Sequence, residues 1–420
     1  MMELKITGAS LLGREGFWDI AIDTEVDTTN QIVEVAPKIT TPAHTVIEAQ
    51  GRLVIPGFVD AHMHLDKALL LKRCQGVEGT FAEAMRETLR AKQGFTVDDI
   101  QARARRAIEQ SISFGTTAMR SHVEVDPVVG LMGMKALLPL RREYAWGISL
   151  QLAVFAQEGI TNQPGTEELL RKAMAMGADL IGSAPYVDPD PRQNIRIIFD
   201  IAQEFDCDVD FHLDFLDDDA PLSLPFVIEE TQRRGWQHRV CLGHMTKLAG
   251  LPPAELNAIA HSVQAAGISI LALPASDIYI MSRKDTHNVR RGVAPIHTLA
   301  QLGVNVALAT NNVQNLFTPF GDGDVLKICT LLSQVLQMGT TASHELCLEM
   351  ATTQAAKAIG IKNYGIAPGK VADLVMIDSK SATDAIASAP VGRTVIKRGR
   401  VVSTSQRVQE FVNVGRLTSN

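Results

Sequence analysis

Eight short apolar runs, rich in β-branched residues, alternate along the chain with longer segments of helical periodicity. Runs of this length and composition predict buried strands, and a helix between successive strands predicts parallel pairing. Eight such units in succession favour the α/β class and a closed (β/α)₈ barrel of the TIM type. The predicted strands are Leu53–Ala61, Thr116–Val123, Ile148–Phe155, Asp179–Ala184, Asp208–Leu213, Arg239–Gly243, Ile268–Leu273 and Asn305–Ala309.

The two ends of the chain differ in character from its middle. Residues 1–50 contain short strand-like runs separated by turns, and the segment after the turn at 366–370 repeats that style, with a tight turn at Arg398-Gly399-Arg400. We therefore expect the ends to pair into a small composite β-sandwich beside the barrel. The predicted domains are 57–366 for the barrel, with 1–56 and 367–420 as the N- and C-terminal parts of the β-sandwich.

The composition excludes several classes of protein. The 420 residues carry 40 Lys+Arg against 47 Asp+Glu, a net charge of −7, whereas proteins that bind nucleic acid or anionic membranes display an excess of basic residues. The most apolar long stretch, 268–281, is interrupted by polar residues and is too short to cross a bilayer. The chain starts without a signal-peptide pattern and its five cysteines form no CxxC pair, so we expect a cytoplasmic protein with free thiols.

Histidines end several of the predicted strands, and in a parallel barrel the reacting groups sit at those ends. His62 and His64 close the first run and, being two apart on a strand, face the same side. His212 closes the fifth run, and His244 follows the sixth. Neutral imidazoles side by side are ligands that Zn²⁺ or Fe²⁺ prefers. Each histidine alone could be an ordinary core residue, but four at the strand ends of one barrel favour a metal site.

Several motifs resemble the amidohydrolase superfamily. Pro56-Gly57-Phe58-Val59-Asp60-Ala61-His62-Met63-His64 is similar to its metal-binding signature, and Pro368-Gly369-Lys370-Val371-Ala372-Asp373-Leu374-Val375 to its C-terminal strand. The stretches 64–67, 154–159 and 317–321 (HLDK, VFAQEG and FTPFG) resemble the branch with cytosine deaminase and N-isopropylammelide isopropylaminohydrolase. The resemblance spans nearly the whole chain. It implies a metal-dependent hydrolase of C–N bonds in small nitrogen heterocycles or cyclic amides or amidines, with metal-bound water as nucleophile.

The same resemblance implies roles for individual residues. His62, His64 and His212 match the ligands of one divalent metal ion per chain, zinc or iron. His244 matches a histidine that contacts the bound water and the leaving group. The residues expected to bind the substrate are Lys67, Gln157, Phe215, Asn312 and Phe317, with Phe317 standing where cytosine deaminase has a ring-stacking tryptophan. Gln157 would read an N–C=O edge, because a primary amide offers a donor and an acceptor side by side.

We expect a small-molecule substrate as the binding partner, with no nucleic acid and no membrane, and assembly into a homo-oligomer. His122, at the end of the second run, receives no role from the sequence.

Two positions depart from the family pattern. The strand-eight ligand of the family is Asp, and this chain has Asn311; the acid/base glutamate of cytosine deaminase is replaced by Phe215. An asparagine can coordinate through its carbonyl oxygen but cannot accept the proton of an attacking water. Asp214 and His244 are then the candidates for proton transfer, so His244, Asp214 and Asn311 form the predicted catalytic set. The apolar Phe215 disfavours removal of the amino group of cytosine itself.

Two hypotheses of different classes follow from these residues. The first is a hydrolase acting on a cyclic amide, an amidine or an N-substituted nitrogen heterocycle. The second is a catalytically weak or silent relative that binds a heterocycle for storage or sensing, because of Asn311 and Phe215. The hydrolase hypothesis is favoured, because the chain retains the three histidine ligands together with His244 and Gln157. Metal content distinguishes them, since a chain that stays free of metal when Zn²⁺ is supplied would support the second.

Overall fold

A computed structural model describes residues 2–23, 30–74 and 76–411 of the chain. Its strands are β1 (Met2–Leu11), β2 (Trp18–Asp23), β3 (Gln31–Ala36), β4 (Ala43–Glu48), β5 (Leu53–Pro56), β6 (Phe58–Met63), β7 (Thr116–Glu124), β8 (Ser149–Ala156), β9 (Leu180–Ser183), β10 (Asp208–Leu213), β11 (Val240–His244), β12 (Ser269–Ala272), β13 (Asn305–Leu308), β14 (Leu374–Ile377), β15 (Arg393–Lys397) and β16 (Arg400–Ser405). Its α-helices are α1 (Phe81–Lys92), α2 (Val97–Ser113), α3 (Met132–Glu143), α4 (Thr166–Ala175), α5 (Pro191–Phe205), α6 (Leu224–Arg234), α7 (Pro253–Ala265), α8 (Pro274–Ile280), α9 (Ile296–Gln301), α10 (Val325–Val335), α11 (Thr341–Met350), α12 (Thr353–Ala358) and α13 (Ala382–Ser388).

Strands β6 to β13 form a parallel sheet in sequence order, as the alternating pattern predicts. The first and last strands meet at a parallel bridge between Met63 and Asn311. There the Asn311 amide donates to the His62 carbonyl at 2.8 Å, and the His64 amide donates to the Asn311 carbonyl at 2.9 Å. The expected TIM-type barrel is confirmed, and its closure lies beside two of the predicted metal ligands.

A buried carboxylate also joins the first and last barrel strands. Asp60 accepts a hydrogen bond from the Thr310 amide at 3.0 Å and another from the Thr310 hydroxyl. Complete burial raises the pKa of Asp60 to about 6, against the opposing effect of these hydrogen bonds. This contact therefore stabilises the closure of the barrel below the mouth.

The first predicted strand is wrong in one respect, because the run 53–61 forms two strands. Strand β5 pairs with β1 and β14, whereas β6 enters the barrel. Pro56 has no amide hydrogen to continue a ladder. At Gly57 a Cβ atom would lie 2.2 Å from the Thr117 side chain, so the backbone approaches β7 more closely than other residues allow.

The strands at the two ends of the chain pair with one another, which confirms the composite β-domain. The order is β16-β15-β14-β5-β1-β2-β3, and β4 also pairs with β1. A separate apolar cluster that includes Ile6, Ile20 and Leu374 fills its core. The boundaries at 56/57 and 366/367 stay predictions, and residues 1, 24–29 and 412–420 lie outside the described part of the chain.

A buried ion pair fixes the β-domain to the barrel. Arg393 of β15 donates to both carboxylate oxygens of Asp324, at 2.7 and 2.8 Å, and to the Phe114 carbonyl. Asp324 is the N-cap of α10, where it also accepts from the Leu326 amide. Both charged side chains are fully buried, so loss of either one would leave a desolvated charge unpaired.

None of the described helices has the length and apolar character needed to cross a membrane.

Candidate active site

A small cavity of about 20 Å³ opens at the carboxyl ends of the barrel strands. Its lining includes every predicted site residue except His62 and Asp214. His62 lies directly beneath it, with its ring 4.4 Å from that of His212. The barrel thus brings together side chains that are up to 255 positions apart in the sequence, from His62 to Phe317.

Three histidine nitrogens converge at the floor of this cavity. The Nε2 atom of His212 lies 3.0 Å from that of His62 and 3.1 Å from that of His64. Burial, with the neighbouring histidines and cations, lowers the pKa of all three well below 6.5, so the rings are neutral. Metal–nitrogen bonds of about 2.0–2.1 Å at tetrahedral angles place ligand atoms about 3.3 Å apart. These three nitrogens therefore fit one divalent ion.

Asn311 adds an oxygen beside the three histidines. Its Nδ2 donates to the Ser276 hydroxyl at 2.7 Å, and the buried Oδ1 has no hydrogen-bond partner. Ser276 in turn hydrogen-bonds the Thr318 hydroxyl. An orphaned buried carbonyl oxygen normally costs free energy, and a metal ion or its water would remove that cost. The arrangement agrees with the predicted role of the Asn311 carbonyl as a neutral ligand atom.

His244 is paired with a carboxylate that the sequence analysis missed. Its Nδ1 lies 2.7 Å from Oδ1 of Asp277, and both side chains are buried. The second oxygen of Asp277 accepts from the Leu273 amide at 3.0 Å. Burial raises the pKa of Asp277, and the hydrogen bond to His244 opposes that rise. Asp277 follows β12 by five residues and lies in α8, so extending the strand-end rule into the helix that follows the strand would have found it.

Asp214 does not reach the cavity, which differs from the sequence-based prediction. Its Oδ1 accepts from the Ser223 amide at 2.8 Å and its Oδ2 from the Leu224 amide at 3.1 Å. Both oxygens thus bind backbone donors at the start of α6, where a carboxylate is stabilised by unpaired amides and the helix dipole. Asp214 therefore positions the start of α6. Of the two residues predicted to transfer protons, His244 is the one that lines the cavity.

Lys67 is one of the polar residues that line the cavity. Its ammonium group donates to Glu124 at 2.5 Å and to the side-chain oxygen of Gln157 at 3.2 Å. It also lies 4.5 Å from the centre of the Phe317 ring. Glu124 was not predicted; it is the last residue of β7, one position beyond the predicted strand, and it is not among the residues that line the cavity.

A second buried lysine completes this charge network. Lys92 contacts the other oxygen of Glu124, Asp126 at 3.0 Å and Glu158 at 2.5 Å. Burial alone would raise the pKa of Glu124, but the two lysines beside it hold that pKa well below its usual range. Burial raises the pKa of Glu158 to about 7, with Glu124 and Asp126 adding to the rise and Lys92 opposing it. The network fixes the ends of β7 and β8 behind Lys67 and Gln157.

Aromatic and aliphatic side chains form the rest of the cavity. The Phe215 ring lies 4.0 Å from that of His244, and Ile280 packs with Phe215 in one apolar cluster. Phe81 contacts both Phe215 and Phe317 edge to face, at 5.8 and 6.0 Å. Among the described residues that line the cavity, none is Asp or Glu.

His122, which the sequence left without a role, lies beneath the metal-site candidates. Its ring is 3.9 Å from that of His62, and its Nε2 is 3.3 Å from Asp210. The other carboxylate oxygen of Asp210 accepts a hydrogen bond from Arg120 at 2.8 Å. These buried groups pack under His62 and support its ring.

Comparisons with known proteins agree with this geometry. The sequence profile of the Amidohydrolase family matches residues 45–107 and 77–403. The N-isopropylammelide isopropyl amidohydrolase of Pseudomonas sp. (strain ADP) is 29% identical over 411 residues, covering 95% of this chain and 97% of that protein. The pterin deaminase of Rhizobium rhizogenes is 26% identical over 382 residues, covering 89% of this chain and 86% of that protein.

Two solved structures have the same overall fold. The 5-methylcytosine deaminase from Klebsiella pneumoniae superposes with a TM-score of 0.89 at 29% identity, covering 97% of this chain and 98% of that one. The N-isopropylammelide isopropylaminohydrolase from Burkholderia multivorans gives a TM-score of 0.84 at 26% identity, covering 96% and 99%.

Proposed function

Because the chain belongs to the amidohydrolase family, a family of hydrolases acting on C–N bonds, we propose that it hydrolyses an exocyclic C–N bond of a small nitrogen heterocycle with the help of a divalent metal ion. The observation that carries the proposal is the convergence of His62, His64 and His212 on one point at the floor of the cavity. Relatives acting on N-isopropylammelide, pterin and 5-methylcytosine support a ring substrate.

The metal is held, in this proposal, by the three Nε2 atoms and the Asn311 carbonyl oxygen. Nitrogen and neutral oxygen donors suit one zinc or iron ion per chain. Such an ion lowers the pKa of a coordinated water and so supplies a nucleophile at neutral pH. The remaining steps fall to the side chains around it.

His244 moves the proton in this mechanism. Because Asp277 accepts the hydrogen on Nδ1, the Nε2 atom carries the lone pair and can accept a proton from the attacking water. The same atom then returns this proton to the departing nitrogen as the C–N bond breaks. Asn311 cannot perform this transfer, since an amide is not basic enough to take the proton.

The leaving group is an alkylamine rather than ammonia in this proposal. Phe215 and Ile280 make the corner beside His244 apolar, and none of the described lining residues is a carboxylate that could accept hydrogen bonds from an unsubstituted amino group. A hydrocarbon substituent on the departing nitrogen would bury its surface there, at about 25 cal/mol per Å².

The test is release of amine from matched substrates. Purified chain loaded with Zn²⁺ or Fe²⁺ is assayed against pyrimidines and triazines that carry either an amino or an N-alkylamino group on the same ring. We expect turnover of the N-alkylamino compounds and a smaller rate with the amino compounds. The alternative, a weak or silent relative that only binds a heterocycle, is supported instead if metal-loaded protein binds such rings without releasing any amine.

Location in the cytoplasm and assembly into a homo-oligomer stay predictions. Size-exclusion chromatography with light scattering tests the second.

A further inference from the structure

A buried carboxylate, Asp210, lies one layer beneath the candidate metal site. It precedes His212 by two residues on β10, so both side chains point into the barrel and Asp210 lies further from the mouth. Its Oδ2 accepts a hydrogen bond from the Arg120 guanidinium at 2.8 Å, and both side chains are almost completely buried. Because arginine can only donate, this contact occupies one carboxylate oxygen and leaves Oδ1 for the groups above it.

Oδ1 of Asp210 faces two imidazole nitrogens. It lies 3.3 Å from Nε2 of His122 and 3.9 Å from Nδ1 of His62. None of these three atoms has a hydrogen-bond partner among the described residues, so the contacts are electrostatic. In an interior that excludes water, a carboxylate oxygen still favours a hydrogen over a lone pair on each nitrogen that faces it, because like partial charges repel strongly there.

The position of the hydrogen on His62 decides whether this ring can bind a metal ion. Its Nε2 is the atom that lies 3.0 Å from Nε2 of His212, and a ligand nitrogen must offer a lone pair. The neutral ring carries one hydrogen, which must therefore be on Nδ1, the nitrogen that faces Asp210. The ring of His122 packs against that of His62, with centroids 3.9 Å apart, and holds this edge toward the carboxylate.

We propose that Asp210 is a positioning residue: held by Arg120, it keeps the hydrogen of His62 on Nδ1 and so keeps the Nε2 lone pair available to the metal ion. An imidazole without such a partner exchanges between its two tautomers, and the tautomer with its hydrogen on Nε2 cannot coordinate through that atom. A carboxylate beside the far nitrogen also makes the ligand nitrogen more basic, which strengthens its bond to the metal. This proposal rests on the proposed function, since it takes His62 as a ligand of that metal.

Asp210→Asn tests the proposal, because it keeps the shape of the side chain and reverses one contact. Arg120 can donate only to the single oxygen of the asparagine, so the NH₂ group turns toward His62 and His122. A donor facing Nδ1 of His62 favours a lone pair there and moves the hydrogen onto Nε2. We expect the affinity for Zn²⁺, measured by competition with a chelator, to fall about 10- to 100-fold.

¹⁵N NMR of the metal-free chain reports the tautomer itself, with the His62 signals assigned by their loss in His62→Gln. We expect the hydrogen on Nδ1 in the unmodified chain and on Nε2 in Asp210→Asn. Asp324→Asn is the matched control, since Asp324 is another fully buried carboxylate held by an arginine, Arg393. This control should lower the thermal midpoint and leave both the Zn²⁺ affinity and the tautomer of His62 unchanged.

Three results would overturn the role of Asp210: a hydrogen on Nε2 of His62 in the unmodified chain, an unchanged Zn²⁺ affinity in a folded Asp210→Asn variant, or an equal loss of affinity in Asp324→Asn. If Asp210→Asn does not fold, the tautomer in the unmodified chain decides alone. The proposed function is judged separately, from amine release by the metal-loaded unmodified chain. A chain that shows the expected tautomer and loss of Zn²⁺ affinity but releases no amine refutes the hydrolase proposal and leaves the role of Asp210 standing.

Discussion

Replacing Asp277 with Asn should disable His244 while leaving the fold and the metal site in place. Asp277 uses both oxygens as acceptors, one for the His244 ring at 2.7 Å and one for the Leu273 amide at 3.0 Å. Asparagine has a single oxygen, and the Leu273 amide can only donate. The variant therefore turns its oxygen to Leu273 and its NH₂ group to His244, which forces the hydrogen of the ring onto Nε2.

The expected loss follows from the contact that is removed. A hydrogen bond to a charged group is worth about 1.5–3 kcal/mol. Each ~1.4 kcal/mol of lost transition-state stabilisation lowers the rate about tenfold. We expect kcat to fall by about 10- to 100-fold from the lost contact alone, and further from the wrong tautomer, with a small change in KM. The assay is amine release by the metal-loaded enzyme, with metal content measured on the same samples.

Asp214→Asn is the matched control, since Asp214 is also a buried carboxylate whose two oxygens accept backbone hydrogen bonds. It should lower the thermal midpoint, because one acceptor at the start of α6 is lost, and should change kcat by less than Asp277→Asn does. ¹⁵N NMR of the histidine rings reports the tautomer of His244 directly. A folded, metal-loaded Asp277→Asn variant with undiminished kcat would refute the proton route through His244, as would a larger loss in Asp214→Asn.

Further outcomes follow from the same site. The double variant His62→Ala, His64→Ala should lose the one divalent ion per chain in elemental analysis, and unchanged stoichiometry would contradict the ligand assignment. Gln157→Ala should lower kcat/KM by the equivalent of about 1–3 kcal/mol with the fold retained, and an unaltered value would remove it from substrate binding. Asn311→Asp should tighten metal binding in a chelator competition, because it adds a negative charge beside the ion. Burial lowers the pKa of His62, His64 and His212 well below 6.5, so protons compete with the metal for these nitrogens only at lower pH. Metal content should therefore be equal at pH 8 and pH 6.5 and should fall under more acid conditions. Loss of metal already near pH 6.5 would contradict this.

The sequence by itself determined the barrel and the position of its metal-site candidates. Strands buried on both faces produce continuous apolar runs, and the helices between them require parallel pairing, so the order of the eight strands follows from the pattern. Side chains two apart on a strand share a face, which is why periodicity alone places His62 and His64 together. The composite β-domain was predictable for the same reason, except that Gly57 divides one apolar run into β5 and β6.

The direction of the side chains at the strand ends and just beyond them was decided only by the tertiary structure. Asp214, His244 and Asn311 all have positive φ angles, of 45°, 71° and 62°. The alternation of a strand no longer applies to such residues, so sequence position does not say which way they face. Partners distant in the sequence decide it: the start of α6 takes Asp214, Asp277 orients His244, and Ser276 turns the Asn311 amide. Hydrogen-bond partners that only folding brings together therefore determine that Asp214 positions a helix, whereas His244 and Asn311 line the cavity. Local periodicity does not show this difference.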